Sequence, residues 1–189
     1  NSIVIHPPVD INRFTPAAKR GDHYVTIGRQ LPYKRYDLAV TAATKLGKKL
    51  IVFGNGPAHS RLVDLAGPTV EFRTDRFGDA SDAEYEKAIT TARGFIYPAE
   101  EDFGIVSVEA LAAGAPVIGL ARGGTTDIVT SPEVGVLFDR QTSISVAKAI
   151  EQAEKRTFDP TVLRRTAQRF DKTLFLTKLR KVVRDQMIQ

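Results

Sequence analysis

The stretch HYVTIGRQLPYKRYDLAVTAATKLGKKLIVFG, residues 23–54, decides the fold. Residues 23–28 read as a buried strand that ends on a glycine. Residues 35–47 place Leu, Val and Ala at helical spacing and stop at Gly47, a common helix terminator. Residues 49–54, KLIVFG, read as a second buried strand. Strand, helix and strand with short connections form a βαβ unit, whose two strands lie parallel because the helix carries the chain back across the sheet.

The same alternation continues downstream. Residues 57–67 predict a helix with Pro at its first turn and Gly at its end, and 69–72 a short strand. Residues 81–92 predict a helix opened by Ser81 with Glu84 three positions on, the pattern of a capping box. Strands follow at 94–98, 116–120 and 135–138, separated by helices at 104–114 and 124–130. Helices at 143–155, from about Pro160 and from about Lys172 close the chain. Residues 1–21, with Pro7, Pro8 and Pro16, read as a lead-in and not as a separate domain. The expected fold is α/β: one doubly wound parallel sheet, Rossmann-like, spanning 1–189 with C-terminal helices.

Composition narrows the function. The chain has 189 residues, 42% apolar and 26% charged, as soluble globular domains do. It has no cysteine, which excludes disulfides and thiolate metal sites, and a reducing cytoplasm is the simplest reading. The longest apolar run, 110–121, contains glycine and proline and is too short for a membrane span. Pro7, Pro8 and Asp10 break the apolar start, so no signal peptide is expected. The net charge of +5 suits nucleic acid, an anionic membrane surface or a phosphorylated small molecule. The basic C-terminal third lacks interleaved aromatic signatures and reads as a solvated helix face, so no nucleic acid is expected as partner.

In doubly wound sheets ligands sit at the carboxyl ends of strands. Three such ends carry unusual chemistry. GNGPAH, 54–59, is half of a dinucleotide fingerprint, but His59 stands where the third glycine belongs, and a tight strand-to-helix turn explains both glycines. GRQLPYKR, 28–35, brings Arg29 and Lys34 to the sheet edge, where a planar fork and a point charge suit a diphosphate; surface charge explains them equally well.

The third end, 97–119, YPAEEDFGIVSVEALAAGAPVIG, is the most informative. Gly104 opens a helix, so an anion can approach the free N–H groups of the first turn. Glu100, Glu101 and Asp102 precede it, and their carboxylates are expected to face neutral donors such as sugar hydroxyls. Charge pairing with the helix dipole explains Asp102 but not Glu109, which lies on a side shared with Ile105, Ala112 and Ala113. A half-buried carboxylate there needs a partner, and a ribose diol supplies one. The histidines at 6, 23 and 59 have no metal-ligand spacing, and no acid cluster marks a Mg²⁺ site, so no cofactor is expected.

With those residues in place the chain resembles a known family. Glu101 and Glu109 form an E-x7-E pair within EDFGIVSVEALAAGAPVI, 101–118. VTIGRQLPYKRYDLAVTA, 25–42, carries G-R-x4-K, ARGGTTDIV, 121–129, a Gly-Gly turn, and PPVDINRF, 7–14, lies near the start. Together they resemble the group 1 (family 4) retaining glycosyltransferases of the GT-B fold, mannosyltransferase-type members in particular. The resemblance implies that this is the C-terminal, donor-binding domain of a hexosyltransferase, without the N-terminal acceptor domain, and inactive alone.

By the same resemblance, Gly28, Arg29, Lys34 and the N–H groups of Gly104, Ile105 and Val106 hold the diphosphate. Glu109 clamps the ribose, Glu101 contacts the donor sugar with Phe103 lining its pocket, and Phe72 and Arg73 meet the base through backbone. Glu101 and Glu109 are the catalytic pair. The implied partners are GDP-mannose or a UDP-sugar, a glycan or lipid-linked acceptor and the missing domain. The implied location is cytoplasmic, with the inner face of the membrane open for the full enzyme and lipopolysaccharide or polysaccharide biosynthesis as the setting. The segment after Phe72, RTDRFGDASDAEY, is longer and more charged than the family's short turn. A sugar-nucleotide epimerase and a non-catalytic nucleotide-binding module remain alternatives.

Overall fold

The computed structural model describes residues 3–74 and 80–187, with the backbone alone at 80, 81 and 186. Six parallel strands form one sheet: β1 (His23–Ile27), β2 (Lys49–Phe53), β3 (Val70–Arg73), β4 (Gly94–Tyr97), β5 (Val117–Leu120) and β6 (Gly135–Phe138). Their spatial order is β3-β2-β1-β4-β5-β6. The chain therefore runs outward from β1 in one direction, returns beside β1 as β4, and runs outward in the other. This reversal opens a crevice at the carboxyl ends of β1 and β4.

The strands alternate between two cores, because successive side chains point to opposite faces. Val25, Ile27, Phe95 and Tyr97 enter one core, and Tyr24, Leu50, Val52 and Ile96 the other. The first is covered by α3 (Ala80–Thr91), α4 (Ile105–Ala112), the single-turn α5 (Thr125–Ile128) and α7 (Pro160–Ala167). The second is covered by α1 (Tyr36–Leu46), α2 (His59–Leu65) and α6 (Ser143–Glu154). α6 begins at the Thr142 cap, whose hydroxyl accepts from the Ser145 N–H, and α7 at Asp159, which caps Thr161 with Pro160 in the first turn. The last helix, α8 (Lys172–Met187), follows a strap in which Val9 bonds both Phe170 and Lys172 through backbone.

The starts of α2 and α3 differ from expectation. α2 starts at His59 and not at Pro57: residues 57–58 form a turn, in which the Ala58 N–H donates to the Gln30 carbonyl and the His59 N–H to the Gly56 carbonyl, both at 3.0 Å. α3 starts at Ala80, so Ser81 falls inside the helix, and the capping contact expected of its side chain lies outside the described residues. Part of the long segment after Phe72, residues 75–79, does so too.

Candidate functional site

The loops leaving β1 and β4 meet over the crevice. After Gly28 the chain makes a short 3-10 turn, Pro32–Lys34, so Lys34 precedes α1 and does not belong to it. Arg35 adopts a left-handed conformation, φ 53°, to turn the chain into α1. Gly28 is backed by the Tyr36 hydroxyl and Lys34 Nζ, which would lie 2.6 and 3.2 Å from a Cβ at this position. A glycine here therefore lets the lysine fold back over the strand end.

Lys34 Nζ lies 3.0 Å from Glu101 Oε1, and both side chains are mostly buried. The same oxygen accepts from the Tyr33 hydroxyl at 3.2 Å, and Oε2 accepts from the Tyr97 hydroxyl. The expectation that the acids face neutral donors is thus met only in part, because Glu101 also faces an ammonium. The physical reason is desolvation: a carboxylate set this deep needs a charge partner or several donors to remain ionised. Burial pushes the Glu101 carboxyl upward, but hydrogen bonds from Tyr97, Lys34 and Tyr33 outweigh it and hold the group below its ordinary value. Burial raises the Tyr97 phenol, and its contact with Glu101 raises it further.

Gly104 sits in the left-handed region at φ 90°, and a Cβ there would lie 3.0 Å from the Tyr97 ring. Only glycine fits both constraints. No side chain caps α4; the Ser107 N–H bonds the Gly104 carbonyl at 2.9 Å. The N–H groups of Ile105 and Val106 have no acceptor among the described residues, and with Gly104 they line an open cavity. This cavity, about 510 Å³, is bounded also by Pro7, Tyr33, Lys34 and the 100–103 segment. It therefore combines an ammonium, a carboxylate and the positive end of a helix.

The Gly-Gly turn after β5 fixes the floor. Gly124 N–H bonds the Glu101 carbonyl at 2.9 Å, and a Cβ on Gly124 would fall 2.3 Å from the Phe103 Cα. Phe103 itself is 8% exposed, stacked on His6 at 5.3 Å and edge-on to Phe170 at 5.2 Å. It borders the cavity but mainly anchors the loop in the core.

Glu109 is half-buried on α4, and Tyr85 of α3 donates to its Oε2 at 2.9 Å. Arg29 is exposed and forms no ion pair among the described residues. At the end of β3, Phe72 meets His59 edge-on at 5.3 Å. The Arg73 guanidinium is drawn aside by Glu71 at 2.6 Å and Glu84 at 3.8 Å. Sequence reasoning did not single out Tyr33, Tyr85, Tyr97 or Gln30. Gln30 is fully buried, donates to the Gly54 carbonyl at 2.6 Å and contacts His59 Nδ1 at 2.8 Å, tying the loops after β1 and β2 together. A lone amide between two cations in GRQLPYKR was its signal. Among the described residues no group of three His, Asp or Glu is placed to hold a metal ion, and no helix is long and apolar enough to cross a membrane.

Residues 10–170 match the family model for glycosyl transferases group 1. The chain belongs to this glycosyltransferase family. It is 31% identical over 172 residues to a D-inositol 3-phosphate glycosyltransferase of Salinispora arenicola, covering 72% of the chain and 38% of that protein. It is 30% identical over 164 residues to a GDP-mannose-dependent alpha-mannosyltransferase of Mycobacterium tuberculosis, covering 78% of the chain and 42% of that protein. The chain thus spans about two fifths of the length of these relatives. Among solved structures, a Rickettsia africae glycosyltransferase superposes with a TM-score of 0.80 at 16% identity, over 97% of this chain and 56% of that one. An Anabaena protein solved with UDP and glucose gives 0.78 at 21% identity, over 96% and 56%. At those identities the likeness establishes the doubly wound glycosyltransferase fold.

Proposed function

We propose that this chain is the donor-binding domain of a retaining hexosyltransferase and that the β1/β4 crevice takes a nucleoside-diphosphate sugar. The observation that carries the reading is the meeting of Lys34, Glu101 and the uncapped start of α4 at one cavity. A diphosphate suits the Lys34 ammonium, the Arg29 guanidinium and the N–H groups of Gly104, Ile105 and Val106. Glu109 suits a ribose diol, Glu101 the sugar hydroxyls, and the backbone at Phe72 and Arg73 the base.

In this reading the bond between the anomeric carbon and the diphosphate oxygen breaks, and its electron pair leaves with the diphosphate. Lys34, Arg29 and the helix start stabilise that growing charge, as preorganised donors do in transition states. The acceptor hydroxyl forms the new bond on the face the leaving group vacates, and its proton passes to the departing phosphate oxygen. GDP-mannose is the first candidate donor, following the name of the Mycobacterium tuberculosis relative, and UDP-sugars the second, following the Anabaena complex. The acceptor is assigned to a further domain.

Thermal melting with GDP, UDP and ADP tests the proposal. A nucleotide at about 100 times its dissociation constant adds roughly 2.7 kcal/mol. For a domain of this size that raises Tm by about 5–10 °C. A rise with one nucleotide that Lys34→Ala and Glu109→Gln cut by about half or more is the expected result; no rise with any of them counts against the reading.

A further inference from the structure

We propose that two buried tyrosines are positioning residues for the acid pair, Tyr97 for Glu101 and Tyr85 for Glu109. The inference rests on the donor-binding reading of those two carboxylates. Tyr85 projects from α3 and is fully buried, with its ring held edge-on by Phe14 at 6.1 Å and Phe53 at 5.7 Å. Its hydroxyl donates to Glu109 Oε2 at 2.9 Å. Tyr97 is the last residue of β4, fully buried, stacked on Phe95 at 5.8 Å, and its hydroxyl donates to Glu101 Oε2.

The two carboxylates stand eight residues apart, one before α4 and one within it, and each takes a phenol from a different element. A tyrosine that only filled space would be served by any nearby acceptor, and phenylalanine would fill the same volume. A phenol also has a property that a lysine or arginine lacks in this role. It directs a hydrogen bond at the carboxylate without adding positive charge; at Glu101 it works beside the Lys34 ammonium and the Tyr33 hydroxyl, which share Oε1. Both rings are clamped by aromatic neighbours, so the donor direction is set by the core and not by the ligand. Burial keeps the Tyr97 proton in place, because it raises that phenol above its ordinary value. Gly104 against the Tyr97 ring links the same side chain to the first turn of α4. Tyr97 therefore spaces the carboxylate from the helix start as well as orienting it.

The test is calorimetric titration of this chain and its Tyr85→Phe and Tyr97→Phe variants with GDP, GDP-mannose, UDP and UDP-glucose. Loss of a donor to the ribose-binding acid is expected to weaken the nucleotide and its sugar alike, about fivefold or more, in Tyr85→Phe. Tyr97→Phe is expected to hold the nucleotide within about twofold while weakening the nucleotide sugar about fivefold. For Tyr97→Phe a merely structural role predicts equal losses of nucleotide and nucleotide sugar, and that result overturns its assignment. For Tyr85→Phe no loss overturns it, as does an equal loss with 2′,3′-dideoxy-GDP, which has no ribose diol for Glu109 to hold. Failure of the unaltered chain to bind any of the four overturns the donor-binding reading instead. The positioning claim is then decided without ligand by side-chain carboxyl NMR. Glu101 is expected to titrate at higher pH in Tyr97→Phe, and an unmoved titration overturns the claim.

Discussion

Lys34 Nζ and Glu101 Oε1 lie 3.0 Å apart across the crevice between β1 and β4. The cation assigned to the diphosphate and the acid assigned to the sugar thus neutralise one another when nothing lies between them. Any diphosphate must compete with Glu101 for the ammonium. Lys34→Ala is expected to weaken nucleoside diphosphate binding about 10- to 100-fold, the range for hydrogen bonds to charged groups. Glu101→Gln removes the competitor and is expected to leave that binding unchanged or tighter. Calorimetry of both variants with GDP and UDP checks the pair, and a large loss in Glu101→Gln would contradict the assignment.

The same contact gives stability a pH dependence of known sign. The Glu101 carboxyl is held below its ordinary value in the folded chain, so its contribution is complete above the ordinary carboxylate range. It is lost as pH falls through the lowered folded value. Glu101→Gln should therefore flatten the loss of Tm below about pH 4.5 while other carboxylates keep their share. Melting curves from pH 3 to 7 measure this directly. An acid limb as steep as that of the unaltered chain would show that Glu101 is not stabilised by its donors.

The Gly-Gly turn yields a prediction with an internal control. A methyl group on Gly124 meets the Phe103 Cα at 2.3 Å, with backbone on both sides, so the Glu101–Phe103 loop must move. Gly124→Ala is expected to cost about 1–3 kcal/mol by overpacking, read as a fall in Tm, and to weaken nucleotide-sugar binding. Gly47→Ala is the control. Its φ of 62° carries strain, but nothing lies within 4 Å of the added carbon, so it should cost stability and spare binding.

The last helix is expected to be the least protected element. Leu174, Leu176 and Leu179 are 37–40% exposed, and Val183 is 50% exposed. With so little apolar area buried, α8 should exchange its amide hydrogens faster than α4, whose Val108, Ala110 and Leu111 are fully buried. Hydrogen exchange read by mass spectrometry distinguishes the two, and equal protection would show that α8 is stabilised by the contacts it has.

The fold was legible in residues 23–54 because both signals there are local. Apolar runs of strand length alternate with a helical period, and Gly47 adopts the left-handed stop, φ 62°, that its position in the pattern predicts. The doubly wound sheet was legible too, but its order was not, because right-handed crossovers set the hand of each connection and not the point at which the chain returns beside β1. The arrival of Arg29, Lys34, Glu101 and Gly104 at the carboxyl ends of strands was legible, but not that the ends of β1 and β4 are neighbours.

The partners of those residues were not legible, because they depend on contacts across the fold. Nothing in YPAEEDFG separates a core tyrosine from one that donates to the acid four residues on. Nothing in SDAEYEK announces that Tyr85 reaches Glu109. The Lys34–Glu101 pair spans 67 positions and exists only because β4 returns beside β1. The turn before α2 likewise meets a distant group, since the Gln30 carbonyl that the Ala58 N–H reaches belongs to a loop 28 residues earlier.

The central claim is that a nucleoside diphosphate binds where the β1 loop meets the start of α4. Backbone amide NMR of the chain, titrated with GDP and with UDP, tests it most directly. The predicted result is that the largest shifts fall at Gly28, Arg29, Gly104, Ile105 and Val106, and that Lys34→Ala needs about 10- to 100-fold more nucleotide to produce them. Shifts centred on Asp22, Lys49 and Glu71 at the opposite end of the sheet, or none with either nucleotide, would contradict it.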